Sequence, residues 1–278
     1  MTQKIPCTIE VLTLNSEQSL GRCLESVQDF DDIIVLDGNS TDRTVEIAKH
    51  FGARIFPQIE TTERNVRVED FSVVRNRGVK EARYQWFTFV DSDEYFSPEA
   101  VEEIRQIVSC SPNPGEQDIR AYRRPRVYML QGRKIERAST YPNYQLRLFY
   151  LPATRGFAKK VHEIMKLVPG TKVGTLKEAE YVPLPPIDET LHKWTRYLDI
   201  QQESLRNLTF RRLVNGVRSN LIKAAKYTLK FLFVRLFKRG KAMPFLYEYY
   251  NILYHVRLTY RLIENYFLKI FRQFTNTP

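Results

Sequence analysis

The sequence predicts an α/β fold in which a mostly parallel sheet is flanked by helices and followed by a basic helical extension. Three observations predict it. Residues 1–110 alternate short apolar runs with amphipathic segments, as parallel strands joined by right-handed helical crossovers do. The run 86–91 is apolar enough to lie inside a sheet that is covered on both faces. From about Asp188 the helical pattern continues to the end of the chain.

The elements of the first part are predicted in a regular alternation. Strands are expected at 5–14, 32–37, 53–56 and in the run ending at Asp91. Helices are expected from Ser16 with Leu20, Cys23, Leu24 and Val27 on one face, from Thr44 to His50, from about Phe71 to Ala82, and from Glu99 to Val108.

Two proline-containing breaks, at 111–115 and 183–186, divide the rest of the chain. Between them the pattern favours antiparallel strands at Ala121–Leu130, Tyr144–Tyr150 and Phe157–Lys166. We therefore expect three parts: an α/β half at 1–110, antiparallel strands of the same domain at 111–187, and a helical extension at 188–278.

Composition and charge narrow the class of protein. A hydrophobic content of 43% and a charged content of 27% are those of an ordinary folded protein. The three cysteines form no CxxC motif, which argues against a disulfide framework or zinc site and suits a reducing compartment, and the N-terminus lacks an apolar run long enough for a signal peptide. Residues 1–110 have 12 Lys/Arg and 20 Asp/Glu, whereas residues 111–278 have 31 and 12. The basic second part indicates an anionic partner.

Four polar motifs lie where predicted strands end or the next helix begins: TLNSE at 13–17, VLDGNSTDRT at 35–44, VRNRGVKEA at 74–82 and FVDSDE at 89–94. Open α/β sheets bind ligands at the carboxyl edge of their strands. Polar clusters that converge on this edge therefore predict a binding cleft.

Asp91 and Asp93 follow the most apolar strand at a spacing of two residues. Both can reach a hard divalent cation through oxygen, and such a cation usually keeps waters or substrate phosphates as its other ligands. The alternative is a helix N-terminus, in which Asp93, Glu94 and Ser97 precede Pro98 as cap and first turn.

These motifs, in this order, resemble family 2 glycosyltransferases with the GT-A (Rossmann-like) fold, and most of all the small lipopolysaccharide-core glucosyltransferase branch. The resemblance covers about residues 5–165. It implies a nucleotide-diphosphate-sugar donor, with UDP-hexose favoured, a divalent cation (Mn²⁺ or Mg²⁺) at Asp91 and Asp93, and inversion at the anomeric carbon. One departure is Asp-Gly-Asn-Ser at 37–40, where the family usually has Asp-Asp-Gly-Ser or Asp-Ser-Gly-Ser.

The predicted donor-binding residues are Thr13, Asn15, Glu17, Asp37, Arg75, Asn76 and Ser92. Asp37 could accept a hydrogen bond from a uracil N–H or a ribose hydroxyl. Arg75 suits a diphosphate because its planar fork binds two oxygens at once, although a solvated helix face is the alternative. For Asn39, Ser40 and Asp42 we favour roles in the turn and cap.

An inverting transfer also needs a general base near the acceptor hydroxyl. The pattern RLF at 147–149 followed by VHE at 161–163 resembles the same branch, and it indicates Glu163 as the base, with His162 supporting it or contacting the diphosphate. An ion-paired surface is the alternative. His192 could complete the metal shell, or it could lie on a helix face against Trp194.

Residues 200–278 carry 15 Lys/Arg and 3 Asp/Glu and show little similarity to the core-glucosyltransferase pattern. At about 100° per residue, one arc of the helix collects Leu221, Ile222, Ala225, Leu229, Leu232, Phe233 and Leu236, and Lys223, Lys226, Lys230 and Lys238 point the other way. A tyrosine-rich helix at 245–274 follows. This pattern favours an anionic membrane surface. The alternative is that the helices pack on each other or on a second subunit, forming a homo-oligomer.

These observations together predict a cytoplasmic, metal-dependent, inverting glycosyltransferase, peripheral on the inner face of a bacterial inner membrane. Its acceptor would be a lipid-linked glycan or lipopolysaccharide core of cell-envelope polysaccharide biosynthesis. A sugar nucleotidyltransferase and a non-catalytic nucleotide-sugar or membrane-binding protein are the alternatives. We expect no nucleic acid partner, because no base-reading module is present.

Overall fold

The computed structural model describes residues 3–160, 163–203 and 209–275. The chain forms two compact units. The first comprises Met1–Gln131 with Pro142–Pro183, and the second comprises Gly132–Tyr141 with Leu184–Pro278.

The first half of the first unit is the predicted alternation of parallel strands and helices. Its strands are β1 (Ile5–Thr13), β2 (Phe30–Asp37), β3 (Arg54–Pro57) and β4 (Trp86–Asp91). Its helices are α1 (Leu20–Ser26), α2 (Thr44–His50), α3 (Phe71–Glu81) and α4 (Pro98–Cys110). The four strands are parallel in the order β3-β2-β1-β4, with Thr13 opposite Asp37 and Leu12 opposite Asp91. The carboxyl ends of these strands therefore meet at one edge.

The remaining strands are β5 (Tyr95–Phe96), β6 (Ile119–Leu130), β7 (Arg133–Lys134), β8 (Tyr144–Tyr150), β9 (Thr154–Ala158), β10 (Ile164–Leu167), β11 (Lys172–Thr175) and β12 (Glu180–Pro183). As predicted, β8 runs antiparallel to β6, and it also pairs antiparallel with β4. The chain then returns parallel to β6 in the short strands β11 and β12, which the sequence analysis missed.

The predicted strand Phe157–Lys166 is wrong as a single element. The structure has two strands there, β9 and β10, which pair antiparallel in a sheet of their own. The backbone turns at Lys159, whose φ of 80° lies in the left-handed region and cannot continue a strand. The hairpin brings Glu163 back beside the main sheet, at the start of β10.

The alternative interpretation of the segment after β4, a helix N-terminus, is confirmed in part. The Ser97 side chain caps α4 by accepting from the Ala100 N–H, and Pro98 begins the helix. Glu94 takes no part in this cap, since its side chain is buried among arginines. The cap and the Asp91–Asp93 turn are therefore separate structures within one short segment.

The second unit is helical, as predicted, with α5 (Ile187–Glu203), α6 (Phe210–Phe237) and α7 (Phe245–Thr275). α6 packs along α7, and α5 contacts α7. Segment 132–141 belongs to this unit through side chains: Ser139 donates to the buried Glu248 of α7, and Arg137 donates to main-chain carbonyls at the end of α6. None of the helices in the described ranges is long and apolar enough to span a membrane.

The face through which α6 packs differs from the apolar arc that the sequence pattern singled out. The buried positions are Leu213, Asn220 and Ala224, and Tyr227 stacks on His255 of α7 at 5.5 Å. The arc from Leu221 to Leu236 is exposed instead. The helices thus pack on each other and still leave an apolar surface in water.

Candidate active site

The ends of β1 and β2 are joined around Asp37. One carboxylate oxygen accepts from Thr13 Oγ1 at 2.9 Å and from Ser40 Oγ at 2.6 Å, and the other accepts from the Ser40 N–H at 2.8 Å. Asp37 and Thr13 are both buried. Asp37 therefore fixes the loop that follows β2.

The loops after β1 and β2 interlock further out, around Asn15 and Glu17. Asn15 has a left-handed φ of 49°, its Oδ1 accepts from the Thr41 N–H at 2.9 Å, and its Nδ2 donates to Asn65. Glu17 Oε2 accepts from the Arg43 N–H at 3.1 Å. These exposed contacts build a polar rim beside Asp37.

The structure agrees with the turn and cap interpretation of the DGNST segment. Asn39 has a φ of 58° and donates to two carbonyls of the following loop, and Asp42 accepts from the Thr44 N–H at 3.0 Å where α2 begins. Ser40 bonds to Asp37 within the turn, whereas the two Asn39 bonds reach residues 22 and 24 positions further along the chain.

The Asp91–Asp93 turn lies at the same edge, because β4 is the neighbour of β1. Ser92 Oγ lies 2.9 Å from Ser16 Oγ, which ties the turn to the loop after β1. The Asp91 side chain is 41% exposed, and Asp93 is exposed as well. Both carboxylates can therefore reach a ligand in solvent.

Arg75 is the residue whose environment departs most from expectation. The alternative of a solvated helix face is wrong, since the Arg75 side chain is only 1% exposed. Its guanidinium donates to three carboxylates: Nη1 to Glu10 at 2.8 Å, Nη2 to Asp91 at 2.6 Å, and Nε to Glu163 at 3.4 Å. Burial opposes its charge, but these three carboxylates, Glu10 first, raise the pKa of Arg75 above its usual value. Arg75 thus joins the metal and base candidates through one side chain.

Glu10 lies in the middle of β1 and was missed by the sequence analysis. Burial raises its pKa to about 7, against the lowering effect of Arg75. Its Oε2 accepts no hydrogen bond from the residues that the structure describes. A Cβ at Gly78 would lie 1.6 Å from that oxygen, so the glycine of the VRNRG motif makes room for this carboxyl group. A single charge inside an otherwise apolar strand was the signal that could have revealed it.

A second buried cluster continues from Asp91. Arg147 Nη2 lies 3.7 Å from Asp91, 3.6 Å from Glu94 and 3.5 Å from Glu180. Arg126 pairs with both glutamates, and the fully buried Arg124 pairs with Glu180 at 3.1 Å.

Within this cluster the two carboxyl groups differ. Burial alone would raise both pKa values, but Arg147, Arg126 and Arg124 hold the pKa of Glu180 at about 2. Burial keeps the pKa of Glu94 well above its usual value despite Arg126. The cluster could not be predicted from the sequence because its arginines and Glu180 come from strands β6, β8 and β12, which are separated along the chain.

Asn76 has a local partner. Its Nδ2 donates to the Phe157 carbonyl at 2.9 Å, and its Oδ1 accepts from the Phe157 N–H at 2.7 Å. It therefore holds β9, and with it the hairpin that leads to Glu163.

The contacts described above do not test two of the predicted site residues, His162 and His192. His162 lies outside the described residues. His192 lies on α5 in the second unit, with an exposed side chain. Their proposed roles stay predictions.

The donor set fits a divalent cation that is shared with a substrate. No cluster of three or more His, Cys, Asp or Glu side chains suited to a metal occurs in the described ranges. Asp91 and Asp93 offer carboxylate oxygens at an exposed turn, and Mg²⁺ or Mn²⁺ bound by two carboxylates takes its other ligands from water and phosphate.

The sequence matches known glycosyltransferases over the part of the chain that builds this site. The family model described as "Glycosyl transferase family 2" matches residues 8–163. The SPbeta prophage-derived glycosyltransferase SunS of Bacillus subtilis (strain 168) is 36% identical over 101 residues, which is 36% of this chain and 23% of SunS. The chain therefore spans about a quarter of that relative.

Two further comparisons cover most of the chain. The lipopolysaccharide core biosynthesis glycosyltransferase LpsC of Rhizobium meliloti (strain 1021) is 23% identical over 246 residues, covering 86% of this chain and 83% of LpsC. The crystal structure of S. aureus TarS 1-349 in complex with UDP-GlcNAc matches with a TM-score of 0.49 at 13% identity, covering 94% of this chain and 91% of that one. The family match spans more than half of the chain and confirms the resemblance: the chain belongs to glycosyl transferase family 2.

Proposed function

We propose that the protein is an inverting glycosyltransferase that takes a sugar from a nucleotide-diphosphate sugar, with UDP-hexose favoured. One observation carries the proposal: Asp91, the candidate metal ligand, and Glu163, the candidate base, are bound by the same guanidinium at the carboxyl edge of the sheet. Two carboxylates with different partners and exposures suit two different roles.

The donor nucleoside would lie against Thr13 and Asp37 and against the polar rim that Asn15 and Glu17 build beside them, with Ser92 beside the diphosphate. A divalent cation at Asp91 and Asp93 supplies positive charge where the leaving nucleotide gains negative charge. Arg75 and Asn76 are bonded to Glu163 and to the Phe157 backbone, so we assign them to support of the site rather than to direct contact with the donor.

Glu163 would act as the general base. Its carboxylate is 16% exposed and lies at the start of β10. It accepts the proton of the acceptor hydroxyl while that oxygen forms a bond to the anomeric carbon. The bond from this carbon to the diphosphate oxygen breaks at the same time, and its electron pair leaves with the nucleotide diphosphate. Attack from the face opposite the leaving group inverts the anomeric centre.

A thermal-shift panel tests the donor site. Nucleotide sugars are added with Mn²⁺, Mg²⁺ or EDTA to wild type, to Asp93→Asn, and to Glu60→Gln as an exposed carboxylate control. We expect a cation-dependent rise in Tm with one nucleotide sugar in wild type and control, lost in Asp93→Asn. The absence of any shift with every nucleotide contradicts the proposal.

The product then separates the transferase from the nucleotidyltransferase alternative. A glycosyltransferase releases a nucleoside diphosphate, whereas a sugar nucleotidyltransferase releases pyrophosphate. With a suitable acceptor, NMR of the anomeric proton should show the configuration opposite to that of the donor. We expect Glu163→Gln to lower kcat by about 10²–10⁴-fold while the donor-induced Tm shift persists.

The second unit supports an acceptor at a membrane surface. Of the 23 large apolar side chains exposed in the described part of the chain, 17 lie on α6 and α7. On α6 they include Leu221, Ile222, Leu229, Leu232, Phe233 and Leu236. On α7, Phe245, Tyr249, Val256, Tyr260, Ile263 and Phe267 recur at helical spacing. An apolar surface of this extent is typical of an interaction face.

Charge favours a lipid surface as the occupant of this face. Residues 200–278 have 15 Lys/Arg against 3 Asp/Glu, and Lys223 and Lys226 of α6 are exposed. Anionic headgroups complement such a surface, and the apolar side chains can enter the acyl boundary between them. A second copy of the same helices would instead bring like charges together.

We therefore propose that the enzyme acts peripherally on the inner face of a bacterial inner membrane, with a lipid-linked glycan or a lipopolysaccharide core as acceptor. The similarity to LpsC, whose name gives lipopolysaccharide core biosynthesis, supports an acceptor of the cell envelope. Cosedimentation with vesicles of anionic or zwitterionic lipid tests the membrane part.

Leu229→Ser/Leu236→Ser removes two apolar side chains that are 67% and 73% exposed, and Ile59→Ser in the first unit is the matched control. We expect anionic vesicles to bind wild type and control, and the double variant to bind much less. Equal binding of all three, or a stable dimer by light scattering that the double variant abolishes, contradicts the membrane proposal and favours a second copy as the partner.

A further inference from the structure

One guanidinium at the edge of the sheet serves three carboxylates from three parts of the chain. Arg75 is bonded to Glu10 of β1, Asp91 at the end of β4 and Glu163 beside β10. The group is almost completely buried, and its guanidinium also lies 4.2 Å from the centre of the Phe89 ring. Water therefore cannot replace Arg75 as the common donor. The position of the Arg75 guanidinium sets the separation of Asp91 from Glu163.

Arg75 binds one carboxylate oxygen of Asp91, which is the candidate ligand of the divalent cation. Arg75 Nη2 holds Asp91 Oδ1 at 2.6 Å, while the Nε bond to Glu163 is longer, at 3.4 Å. A cation on Asp91 draws on the same negative charge and repels the guanidinium. The third partner, Glu10, keeps Arg75 in place because Nη1 stays bonded to it at 2.8 Å.

We propose, on the basis of the function proposed above, that Arg75 is a positioning residue that competes with the divalent cation for Asp91 and holds Glu163 in its place as the base, with Glu10 as its fixed anchor. When the cation binds Asp91, the guanidinium strengthens its bond to Glu163. Binding of cation and donor thereby orders the base. Gly78 belongs to the same arrangement of residues, because the absence of a Cβ leaves the space that the Glu10 carboxyl group occupies.

A purely structural ion-pair cluster predicts something different. If Arg75 only tied α3 to the sheet, its replacement would loosen the whole edge and would lower cation affinity and turnover together. Competition for Asp91 predicts opposite signs for these two quantities. The test therefore needs cation affinity without donor, measured by Mn²⁺ electron paramagnetic resonance, beside kcat and the donor KM.

Arg75→Gln removes the guanidinium that is hydrogen-bonded to Asp91 at 2.6 Å, while Arg147 stays 3.7 Å from the same carboxylate. We expect the variant to bind Mn²⁺ about tenfold more tightly than wild type. Mutation of a residue that hydrogen-bonds to a metal ligand changes metal affinity by a factor of about this size. We expect kcat to fall about 100-fold because the base is displaced, with the donor KM within about threefold of wild type. Arg75→Lys keeps the charge but lacks the planar fork, so it should bind Mn²⁺ like wild type and recover only part of kcat.

Glu10→Gln keeps the shape of the side chain at position 10 and leaves Arg75 in place. It is the variant to use if Arg75→Gln does not fold. It releases Arg75 from its anchor toward Asp91, so Mn²⁺ should bind more weakly, opposite to Arg75→Gln. Arg77→Lys is the control on the same helix, because Arg77 pairs only with the exposed Glu60 among the described ion pairs, and it should change none of these quantities.

The inference is overturned if folded Arg75→Gln loses Mn²⁺ affinity together with kcat, if its kcat equals that of wild type, or if Glu10→Gln binds Mn²⁺ as wild type does. Its failure differs from failure of the proposed function. Suppose that wild type binds Mn²⁺ and a nucleotide sugar and transfers the sugar, while the variants do not show the predicted changes in Mn²⁺ affinity and kcat. In that case only the role of Arg75 is wrong. If wild type binds no nucleotide, the proposed function itself fails.

Discussion

The two units of this protein depart from the usual distribution of side chains in opposite directions. In the first unit charged groups lie inside: Glu10, Arg75, Arg124, Arg147 and Glu180 are all at most 3% exposed. In the second unit, most of the large exposed apolar side chains of the described chain project from α6 and α7. Lys, Glu and Arg are rarely buried without partners, and large apolar patches are rarely left in water.

The difference indicates what kind of partner each unit is suited to contact. Burying charges is costly even when they are paired, so a buried network is weak evidence for stability and stronger evidence for a site that needs fixed charges. Exposing apolar side chains is costly as well, unless another surface covers them. In the proposed function, the fixed charges of the first unit serve a charged substrate, and the apolar face of the second unit serves a membrane.

Breaking the charged network should give the largest loss of stability. Glu180→Ala removes the carboxylate that faces Arg124, Arg126 and Arg147. Three buried guanidinium groups would then share too few acceptors, so we expect the free energy of unfolding of the first unit to fall by about 3–5 kcal/mol. Urea denaturation monitored by tryptophan fluorescence measures the fall. An unchanged midpoint, like that expected of Glu60→Ala in its exposed pair, would show that the network contributes nothing.

The next largest effect on stability should be a dependence on pH that is caused by Glu10. Its pKa is raised to about 7 in the folded protein, so the native state binds more protons than the unfolded state between about pH 4.5 and pH 7. Its contribution to stability is therefore present at the lower pH and is lost as the pH rises through 7. Over this range the free energy of unfolding of wild type should fall by roughly 3 kcal/mol relative to Glu10→Gln. A difference between the two proteins that stays flat with pH would contradict the raised pKa.

Two leucines of α6 sharpen the comparison within the second unit. Leu213 is 8% exposed and packs with Leu262, whereas Leu229 is 67% exposed. We expect Leu213→Ala to destabilise the helices by about 2 kcal/mol because it leaves a cavity, and Leu229→Ala to leave stability almost unchanged. Thermal denaturation followed by circular dichroism at 222 nm compares them. Equal losses for the two variants would mean that the exposed arc is covered in solution.

The smallest expected effect concerns single lysines. Lys226 is exposed on α6, and each basic residue near an anionic membrane contributes about 1 kcal/mol to binding. Lys226→Gln should therefore weaken partition to anionic vesicles about fivefold at low salt and have little effect at high salt. Lys49→Gln on α2 of the first unit is the control. The same loss in both variants would point to nonspecific attraction by net charge rather than to a docking face.

Much of the site could be predicted because its residues occur in short motifs. The Asp91–Asp93 turn, the Asp37 loop and the Thr13–Glu17 loop each follow a strand whose apolar run is plain in the sequence, and their meeting at one edge follows from parallel topology. The family resemblance added Glu163. The role of Arg75 could not be predicted, since a helical arginine has the same local pattern whether its face is solvated or buried against β1 and β4.

The amino-acid sequence by itself determined the local elements, the α/β class, the motifs at the strand ends and the basic helical extension, because periodicity, capping and turn residues act over a few positions. Only the tertiary structure decided which charges became partners: Glu10 with Arg75, Asp91 with Glu163 through that arginine, and Arg124 with Glu180. It also decided that α6 packs through Leu213 and Ala224 and leaves its more apolar arc exposed. The energy of buried charges and of helix faces depends on what lies opposite them, and residues far apart along the chain are brought opposite one another only by folding.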